Sequence, residues 1–384
     1  MASVTPPPSR SISRSIPTRV QVQSKPKPWY RYITLDLLLL ILANSVFHPW
    51  ISLIFYLCLA SVHKHREPLA YYTLYYTAAL AVVECAIWIN HRIAHGPHRK
   101  VDWESEVAVV TGGGSGLGRV VAQMLVRKGV KVAIWDVKEP DREALDEMER
   151  WDLVWHQVDV ARLDEVQTAA ERVVDELGSP TILVNNAATT VSALPLVSVP
   201  ENPPSLSPQQ ASRTLEVNTL SHFNTLSVLL PRLIASAKGA HIVTISSILS
   251  HLAPACLADY AMSKAAVSSL HQTLCHELRN HPDSAVSARV KTLLVEPGQL
   301  DTQLFADVTS VPFYAHFFGP VLAAKDVAKD IVRAIERGDG GVLRSPFYAK
   351  CMPFYGALPD SLQLLMRWFS GIDRAIVGRD KNTS

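Results

Sequence analysis

Cysteine is scarce in this sequence, and charge of either sign is modest. The five cysteines have neither metal-site nor redox-pair spacing, so we expect free, mostly buried thiols in a reducing compartment and no disulfide framework. A net charge of +2, without a basic stripe of interleaved aromatic residues, gives no indication of a nucleic-acid partner. With 48% hydrophobic and 19% charged residues, the bulk of the 384-residue chain is expected to be globular.

Acidic residues are absent from residues 1–32, which are rich in Ser, Pro, Arg and Lys and predict a flexible basic tail. Two apolar runs follow, at 37–62 and 69–90. Each exceeds the roughly 20 residues that cross a bilayer as a helix, and the basic flanks favour a cytosolic position for the tail and the C-terminal body. Pro49 allows a second interpretation, a hairpin that dips into one leaflet. A buried helical layer of a soluble domain is the third.

From about residue 106, short β-branched runs alternate with amphipathic stretches. Strands are predicted at 107–110, 131–135, 153–158, 181–184, 241–245 and 290–295, and a helix at 163–177. This alternation predicts an α/β fold, a Rossmann doubly wound parallel sheet with helices on both faces, preceded by an N-terminal hydrophobic membrane anchor. The predicted parts are a tail at 1–32, an anchor at 33–100, the Rossmann domain at 101–350 and an amphipathic helix with a tail at 351–384. A Pro/Ser-rich stretch at 194–208 is interpreted as a surface loop.

A glycine-rich turn joins the first predicted strand to the next helix and reads Thr111-Gly112-Gly113-Gly114-Ser115-Gly116-Leu117-Gly118. Such a turn lets the backbone approach a pyrophosphate, and the helix N-terminus offers unpaired N–H groups to the anion. Because the turn lies in the first βαβ unit, it has the context that a dinucleotide site requires.

Acidic residues end the second and third predicted strands. Asp136 can accept hydrogen bonds from the adenosine ribose and would repel a 2′-phosphate, so NAD is favoured over NADP. Arg119 and Lys138 leave NADP open, because either could meet a phosphate. Asp159 is placed to meet the adenine, and a simple surface turn is the alternative for that residue.

Tyr260 and Lys264 are four residues apart in a helical stretch, so the phenol and the ammonium share one helix face. A free tyrosine has a pKa of about 10, and a nearby cation is expected to lower it. The phenol could then exchange a proton with a carbonyl or an alcohol while a cofactor carries the hydride. Ser247 follows a predicted strand and is placed to hydrogen-bond the reacting oxygen.

In order and spacing, these pieces resemble the short-chain dehydrogenase/reductase family over about residues 104–350. Further matching pieces are Asn185-Asn186-Ala187, Asn218 and Pro297-Gly298. The resemblance implies an NAD(P)-dependent oxidoreductase with Ser247, Tyr260, Lys264 and Asn218 as catalytic residues. It implies a cofactor site made of Thr111, Gly112, Ser115, Gly116, Leu117, Gly118, Asp136, Asp159, Asn186, Ala187, Tyr260, Lys264, Pro297, Gly298 and Thr302.

The same resemblance implies individual roles. Asn218 would hold a water that connects to Lys264, and Lys264 would also bind the nicotinamide ribose. Ala188 stands where the family usually has glycine, a difference of one methyl group, and the loop before Asn218 is longer than usual. The adenine side would rest on Asn186 and Ala187, and the nicotinamide end on Pro297, Gly298 and Thr302.

The segment after Thr302 is rich in aromatic residues and corresponds to the family's substrate lid, which suits a bulky apolar substrate; ordinary packing or membrane contact is the alternative. Apolar residues from Leu362 to Ile376 recur at helical steps and predict either an interfacial helix or one that closes the pocket. Together, the N-terminal anchor, the aromatic lid and the C-terminal segment resemble those of the membrane- and lipid-droplet-associated 17β-hydroxysteroid and retinol dehydrogenases. This implies a lipophilic substrate, a membrane-lipid partner, an endoplasmic reticulum or lipid-droplet location with a cytosolic catalytic domain, and a homodimer.

Three rival functions are weighed. His91, His95 and His98 are spaced like one histidine box of a membrane hydroxylase, but the other boxes are missing, so no metal site is predicted. A Rossmann module kept only for cofactor binding or scaffolding is the second rival, and the intact Tyr260 and Lys264 argue against it. An NADP-dependent reductase of another ketone, such as a secondary-metabolite intermediate, is the third.

Overall fold

The computed structural model describes residues 33–62, 66–140, 153–189, 191–197, 205–301 and 317–373. The predicted tail at 1–32 lies outside these ranges. The strands are β1 Val107–Thr111, β2 Lys131–Asp136, β3 Leu153–Gln157, β4 Ile182–Asn185, β5 Ala240–Ile245, β6 Val290–Pro297 and β7 Gly341–Ser345. They form one parallel sheet in the order β3-β2-β1-β4-β5-β6-β7. The order reverses between β1 and β4, and such a switch opens a crevice at the carboxyl ends of the strands.

The sequence predicts six of these strands to within two residues of their observed bounds. It does not predict β7, which lies at the sheet edge, pairs only with β6 and is half-exposed along most of its length. An edge strand does not need the continuous apolar run that marks a strand buried on both faces.

Helices cover both faces of the sheet, which confirms the doubly wound prediction. In chain order they are α1 Leu35–Ala43, α2 Pro49–Ser61, α3 Pro68–His95, α4 Gly116–Arg127, α5 Leu163–Glu176, α6 Pro208–Leu215, α7 Ser221–Ala235, α8 Ala258–Arg279, α9 Ser284–Arg289, α10 Ala324–Glu336, α11 Phe347–Cys351 and α12 Asp360–Ser370. One core layer joins α4 and α10 to the sheet, and the other joins α5, α7 and α8 to its opposite face.

The first apolar run is not one helix. It is divided into α1 and α2, 9 and 13 residues long, because the backbone turns at 44–48 and Pro49 begins a new helix. Neither piece reaches the roughly 20 residues of a crossing helix, so the prediction of one continuous crossing for this run is wrong. The division fits the hairpin interpretation.

The helix α3, with 28 residues, is the one helix in the described ranges that is long and apolar enough to cross a membrane. The hydroxyls of Ser52 and Thr77 lie 2.6 Å apart and join it to α2, and the Tyr76 hydroxyl donates to the Val46 carbonyl at 2.9 Å. Only 6% of the most apolar window of α3 is buried. This exposure contradicts the interpretation of a buried helical layer.

The C-terminal end of α3 is fixed to the amino edge of the sheet. Lys291 Nζ donates to the His95 carbonyl at 3.0 Å, and Arg279 Nη2 donates to the Ala94 carbonyl at 2.7 Å. Cations at this position satisfy the last carbonyls of a helix and complement its dipole. The C-terminal end of α3 is therefore capped by residues of the Rossmann domain.

Arg99, in the segment after α3, is buried at the same edge. Its Nη2 lies 2.7 and 2.8 Å from the two carboxylate oxygens of Glu106, and its Nε donates to the Lys238 carbonyl at 3.0 Å. The Arg99 amide donates to the Gly338 carbonyl at 3.0 Å. The segment between α3 and β1 is thus fixed through a buried ion pair.

The three histidines weighed as a metal box belong to this docked end. The His98 and Asp339 side chains lie 2.5 Å apart, and the His91 and His95 rings have their centroids 4.8 Å apart. Within the described ranges, no group of three His, Cys, Asp or Glu side chains is arranged to hold a metal ion.

Candidate active site

The glycine-rich turn lies at the carboxyl edge of the sheet, between β1 and α4. Gly112 has a φ of +62°, and an added Cβ would lie 2.7 Å from the Ala187 Cα, so the position requires glycine. At Gly118 an added Cβ would collide with the Gly112 carbonyl oxygen. The close packing leaves the N-terminus of α4 open beside the exposed Ser115. These residues fit a bound pyrophosphate.

Thr111 and Asn186 hold this turn against β4. Thr111 Oγ1 accepts hydrogen bonds from the amides of Asn186 and Ala187 at 3.0 and 3.1 Å. The Asn186 side-chain amide donates to the carbonyls of Thr111 and Gly112 at 3.1 and 3.0 Å. The buried Thr111 hydroxyl therefore shapes the turn, and cofactor contacts of Thr111, Asn186 and Ala187 stay predictions.

Asp136 is fixed at the end of β2, beside the turn. Its Oδ2 accepts from the Gly114 amide at 2.9 Å and its Oδ1 from the Lys138 amide at 3.1 Å. Asp159 forms an ion pair with Arg213 at 3.0 Å, and its Oδ1 accepts from the Ala161 amide at 3.0 Å. The sequence does not predict that Arg213 lies beside Asp159, the carboxylate expected on the adenine side.

Ser247, Tyr260 and Lys264 meet in one buried group. Ser247 follows β5 and caps the short turn Ile248–Ser250, and a side-chain hydrogen bond joins Ser247 to Tyr260. Lys264 Nζ lies 5.8 Å from the Tyr260 ring centroid and donates to the Ile245 carbonyl at 2.9 Å. The three side chains come from two elements, β5 with its turn and α8, so the fold has to bring them together.

Burial sets the protonation of this group. Burial raises the pKa of Tyr260, and the hydrogen bond with Ser247 offsets only part of that rise. Burial lowers the pKa of Lys264 to about 8. Lys264 is expected from the sequence to lower the pKa of Tyr260; the net direction is upward instead, because burial of the phenol dominates. Tyr260 keeps its proton at neutral pH, and Lys264 is charged below about pH 8.

Asn218 lies in a π-helical turn, Glu216–Leu220, between α6 and α7. Such turns are rare and occur mainly at functional sites. The Asn218 Oδ1 accepts from the Thr189 amide at 2.9 Å, and its Nδ2 donates to the Ser263 hydroxyl at 3.1 Å. Asn218 therefore braces α8 next to Lys264, and the predicted water relay stays a prediction.

The predicted nicotinamide end lies where β6 ends. The Gly298 amide donates to the Ser345 carbonyl at 2.8 Å, and an added Cβ at Gly298 would collide with the Tyr348 hydroxyl. Tyr348, in α11, also accepts from the Gln299 amide at 3.3 Å, and the sequence does not single it out. Pro297 pairs with Ser345 in the sheet. Outside the described residues lie Thr302 and the residues Phe305, Pro312, Phe313 and Tyr314 of the predicted lid.

Asp259, a buried carboxylate directly before Tyr260, is also missed by sequence reasoning. Its Oδ2 accepts from the hydroxyls of Ser192 and Thr214 at 3.1 and 2.8 Å, and its Oδ1 accepts from the Tyr260 amide at 2.8 Å. It ties the loop at 191–197 and α6 to the first turn of α8. An acidic residue in a first helical turn is common for electrostatic reasons alone, so its position gives no distinguishing signal.

Glu296 is a second missed carboxylate, buried in β6 behind the site. It accepts from Arg344 Nε at 2.7 Å and from the Ser268 hydroxyl at 3.0 Å. The Ser268 and Ser246 hydroxyls lie 2.8 Å apart, and Ser246 donates to the Lys264 carbonyl at 2.9 Å. The side chains of Ser268 and Ser246 therefore lie in polar contact between a charged group and the backbone of Lys264.

The chain resembles known proteins over the same region. The family described as short chain dehydrogenase matches residues 106–311. An uncharacterized oxidoreductase of Saccharomyces cerevisiae is 27% identical over 270 residues, 70% of this chain and 83% of that protein. Retinol dehydrogenase 10-B of Danio rerio is 30% identical over 260 residues, 62% of this chain and 73% of that protein.

Solved structures agree with the fold. A short chain dehydrogenase from Burkholderia cenocepacia in complex with NADP has a TM-score of 0.54 and 25% identity, over 68% of this chain and 97% of that one. A second, from Burkholderia phymatum in complex with NAD, has a TM-score of 0.54 and 24% identity, over 67% of this chain and 95% of that one. The family match covers residues 106–311, and the parallel sheet and the glycine-rich turn agree with it. The chain therefore belongs to the short-chain dehydrogenase/reductase family and is an NAD(P)-dependent oxidoreductase.

Proposed function

We propose that this oxidoreductase transfers hydride between NAD(P) and a lipophilic alcohol, or the matching ketone or aldehyde, at a membrane surface. The observation that carries the proposal is the buried Ser247–Tyr260 hydrogen bond with Lys264 beside it, near the edge that holds the glycine-rich turn. Ser247, Tyr260, Lys264 and Asn218 are proposed as the catalytic residues.

NAD(P), when bound on the glycine-rich turn, supplies or accepts the hydride. Tyr260 carries its proton at neutral pH, so it can donate that proton to a carbonyl oxygen; in the reverse direction its phenolate form takes the proton of an alcohol. The Ser247 hydroxyl lies next to the phenol and is placed to hydrogen-bond the same oxygen. The charge of Lys264 favours the phenolate that remains, and Asn218 braces the helix that carries Lys264.

The apolar surroundings of Tyr260 support a lipophilic substrate. Its buried neighbours are the side chains Ile248, Leu249, Leu252, Leu257, Met352 and Tyr355. Apolar walls with a few convergent polar groups are typical of sites for apolar ligands. The relatives named retinol dehydrogenase support the same substrate class and a membrane location, as do the exposed apolar helices α1, α2 and α3, together called the hairpin.

A substrate panel tests the proposal. The full chain is reconstituted in phosphatidylcholine vesicles and assayed with retinol, a hydroxysteroid, a long-chain alcohol and ethanol, with NAD and with NADP. We expect cofactor-linked turnover of at least one lipophilic alcohol and much weaker turnover of ethanol. Turnover of ethanol alone, or of no alcohol and no matching carbonyl compound, would contradict the proposal.

Activity is expected to depend on the charge of Lys264. Burial lowers the pKa of Lys264 to about 8 from 10.5, so the side chain loses its charge as the pH rises through about 8. We expect kcat/KM for carbonyl reduction to stay level below that pH and to fall above it. Lys264→Arg keeps a guanidinium that is charged over the whole range, so its profile should lose this alkaline limb. A limb that persists in Lys264→Arg belongs to another group.

Cofactor choice is expected to depend on Asp136. In Asp136→Asn the negative charge beside the turn is removed, so we expect the ratio of kcat/KM for NAD to that for NADP to fall by about tenfold or more. Steady-state kinetics with both cofactors measures the ratio. Asp164→Asn, the same change at an exposed residue of α5, should leave it unchanged. Equal ratios in Asp136→Asn and wild type would refute this role.

A further inference from the structure

The helix α12 has its polar side turned inward. Gln363 and Arg367, four residues apart, donate to the carbonyls of Leu358 and Ala253 at 2.8 and 3.0 Å. A helix on a water-exposed surface has the opposite arrangement, with its apolar stripe on the core. The outward side chains, 40–67% exposed, are Leu362, Leu364, Leu365, Met366, Trp368 and Phe369. One member of this face, Phe369, also meets Phe318, with the ring centroids 6.1 Å apart.

The helix is attached to the segment that leads into the catalytic helix. Arg367 forms an ion pair of 2.6 Å with Asp373, and Asp373 accepts from the Ala255 amide at 3.0 Å. Ile372 packs on the buried apolar cluster that contains Tyr260. The outward face of α12 therefore lies one layer outside the substrate side of the site.

The hairpin is attached close by. Asp36, in the first turn of α1, accepts from the Phe347 amide at 2.6 Å, and Phe347 begins α11. Between α11 and α12, Phe354 is 70% exposed. The segment 347–370 thus carries the start of the hairpin at one end and the outward apolar face of α12 at the other.

We propose that this outward face of α12, with Phe354, is an interfacial membrane-binding surface, and that its occupant is the boundary between headgroups and acyl chains of the bilayer that holds the hairpin. Exposed apolar residues on one helix face, with no charged side chain among them, suit this boundary and do not require anionic lipid. The contact holds the substrate side of the site against the bilayer, so a lipophilic substrate reaches Tyr260 without crossing water. The membrane location and this consequence for substrate access both rest on the proposed function.

Fluorescence quenching tests the contact directly. The full chain is placed in vesicles of phosphatidylcholine with brominated acyl chains or with ordinary ones. The quenched signal should fall in Trp368→Phe, because Trp368 is 67% exposed on the outward face. It should not fall in Trp103→Phe, whose ring lies beside Lys128 at the other end of the domain. An unquenched Trp368, or a second copy of the chain covering it in sedimentation and crosslinking measurements, would overturn the proposal.

Steady-state kinetics test whether the outward face of α12 helps a lipophilic substrate to reach the site. In Leu364→Glu/Leu365→Glu we expect KM for a vesicle-dissolved substrate to rise about tenfold, with kcat unchanged and turnover of a short water-soluble alcohol unchanged. Leu163→Glu, a matched change at an exposed leucine of α5, should leave both substrates unaffected. An unchanged KM in the double variant would overturn the role of α12 in substrate access. A wild type without lipophilic turnover refutes the proposed function instead, and the quenching result still decides the membrane contact.

Discussion

Replacing Tyr260 by phenylalanine is expected to lower kcat by about 10²- to 10⁴-fold, the range that a positioned general acid–base contributes. The change removes one oxygen atom, so the ring keeps its packing in the apolar cluster around it. Most of the predicted cofactor site lies on the glycine-rich turn and at the strand ends, away from the phenol oxygen, and NAD(P) affinity should therefore change little. Single-turnover kinetics with the best substrate of the panel, together with cofactor binding by fluorescence, measures both quantities.

Tyr72→Phe is the matched control, because it makes the same change at an exposed tyrosine of α3. It should leave kcat unchanged. Cofactor-linked turnover that survives in Tyr260→Phe would refute the catalytic role. Loss of cofactor affinity in parallel with kcat would point to a structural role of the phenol.

Replacing Glu106 by alanine is expected to lower the free energy of unfolding by about 3–5 kcal/mol, the usual cost of breaking a buried ion pair from one side. The side chains of Arg99 and Glu106 are 2% and 1% exposed, so the guanidinium that remains cannot reach water. The Thr181 hydroxyl, which donates to Glu106, also loses its acceptor. Urea unfolding of the detergent-solubilised full chain, followed by tryptophan fluorescence, measures the change.

Two further variants separate charge burial from loss of packing. Glu336→Ala breaks the Lys128–Glu336 pair, whose side chains are 41% and 44% exposed, and should change stability by less than about 1 kcal/mol. The double change Arg99→Met/Glu106→Leu removes both charges and should recover part of the loss seen in Glu106→Ala. Equal losses in Glu106→Ala and Glu336→Ala would refute the assignment.

The fold is predictable from sequence where one rule decides the structure. Strands buried on both faces need continuous apolar runs, so β1, β2, β4, β5 and β6 are marked by composition alone. The two edge strands are free of this requirement: β3 is still marked by its run Leu153-Val154-Trp155, whereas β7 is not marked. The helices of the first apolar run are not predictable from its apolarity, which suits one long helix or two short ones. A single residue, Pro49, decides between them.

The site is predictable to the extent that it depends on fixed spacing. The glycine-rich turn, Ser247 and the Tyr260–Lys264 pair lie at the positions that their spacing indicates. Asp259 and Glu296 are buried partners of hydroxyls distant in sequence, and only the folded chain brings them together. The raised pKa of Tyr260 also escapes sequence reasoning, since it depends on burial more than on the neighbouring cation.

The capped end of α3 has a mechanical consequence. At about 1.5 Å of rise per residue, its 28 residues extend about 42 Å, longer than the roughly 30 Å hydrocarbon core of a bilayer. An inserted helix that is too long tilts, by an angle that depends on the local thickness of the membrane. Lys291 and Arg279 bind the end of α3 to the sheet, so a tilt of α3 in the membrane proposed above would turn the whole domain with it. Under that proposal, membrane thickness would set the angle at which the catalytic cleft meets the lipid surface.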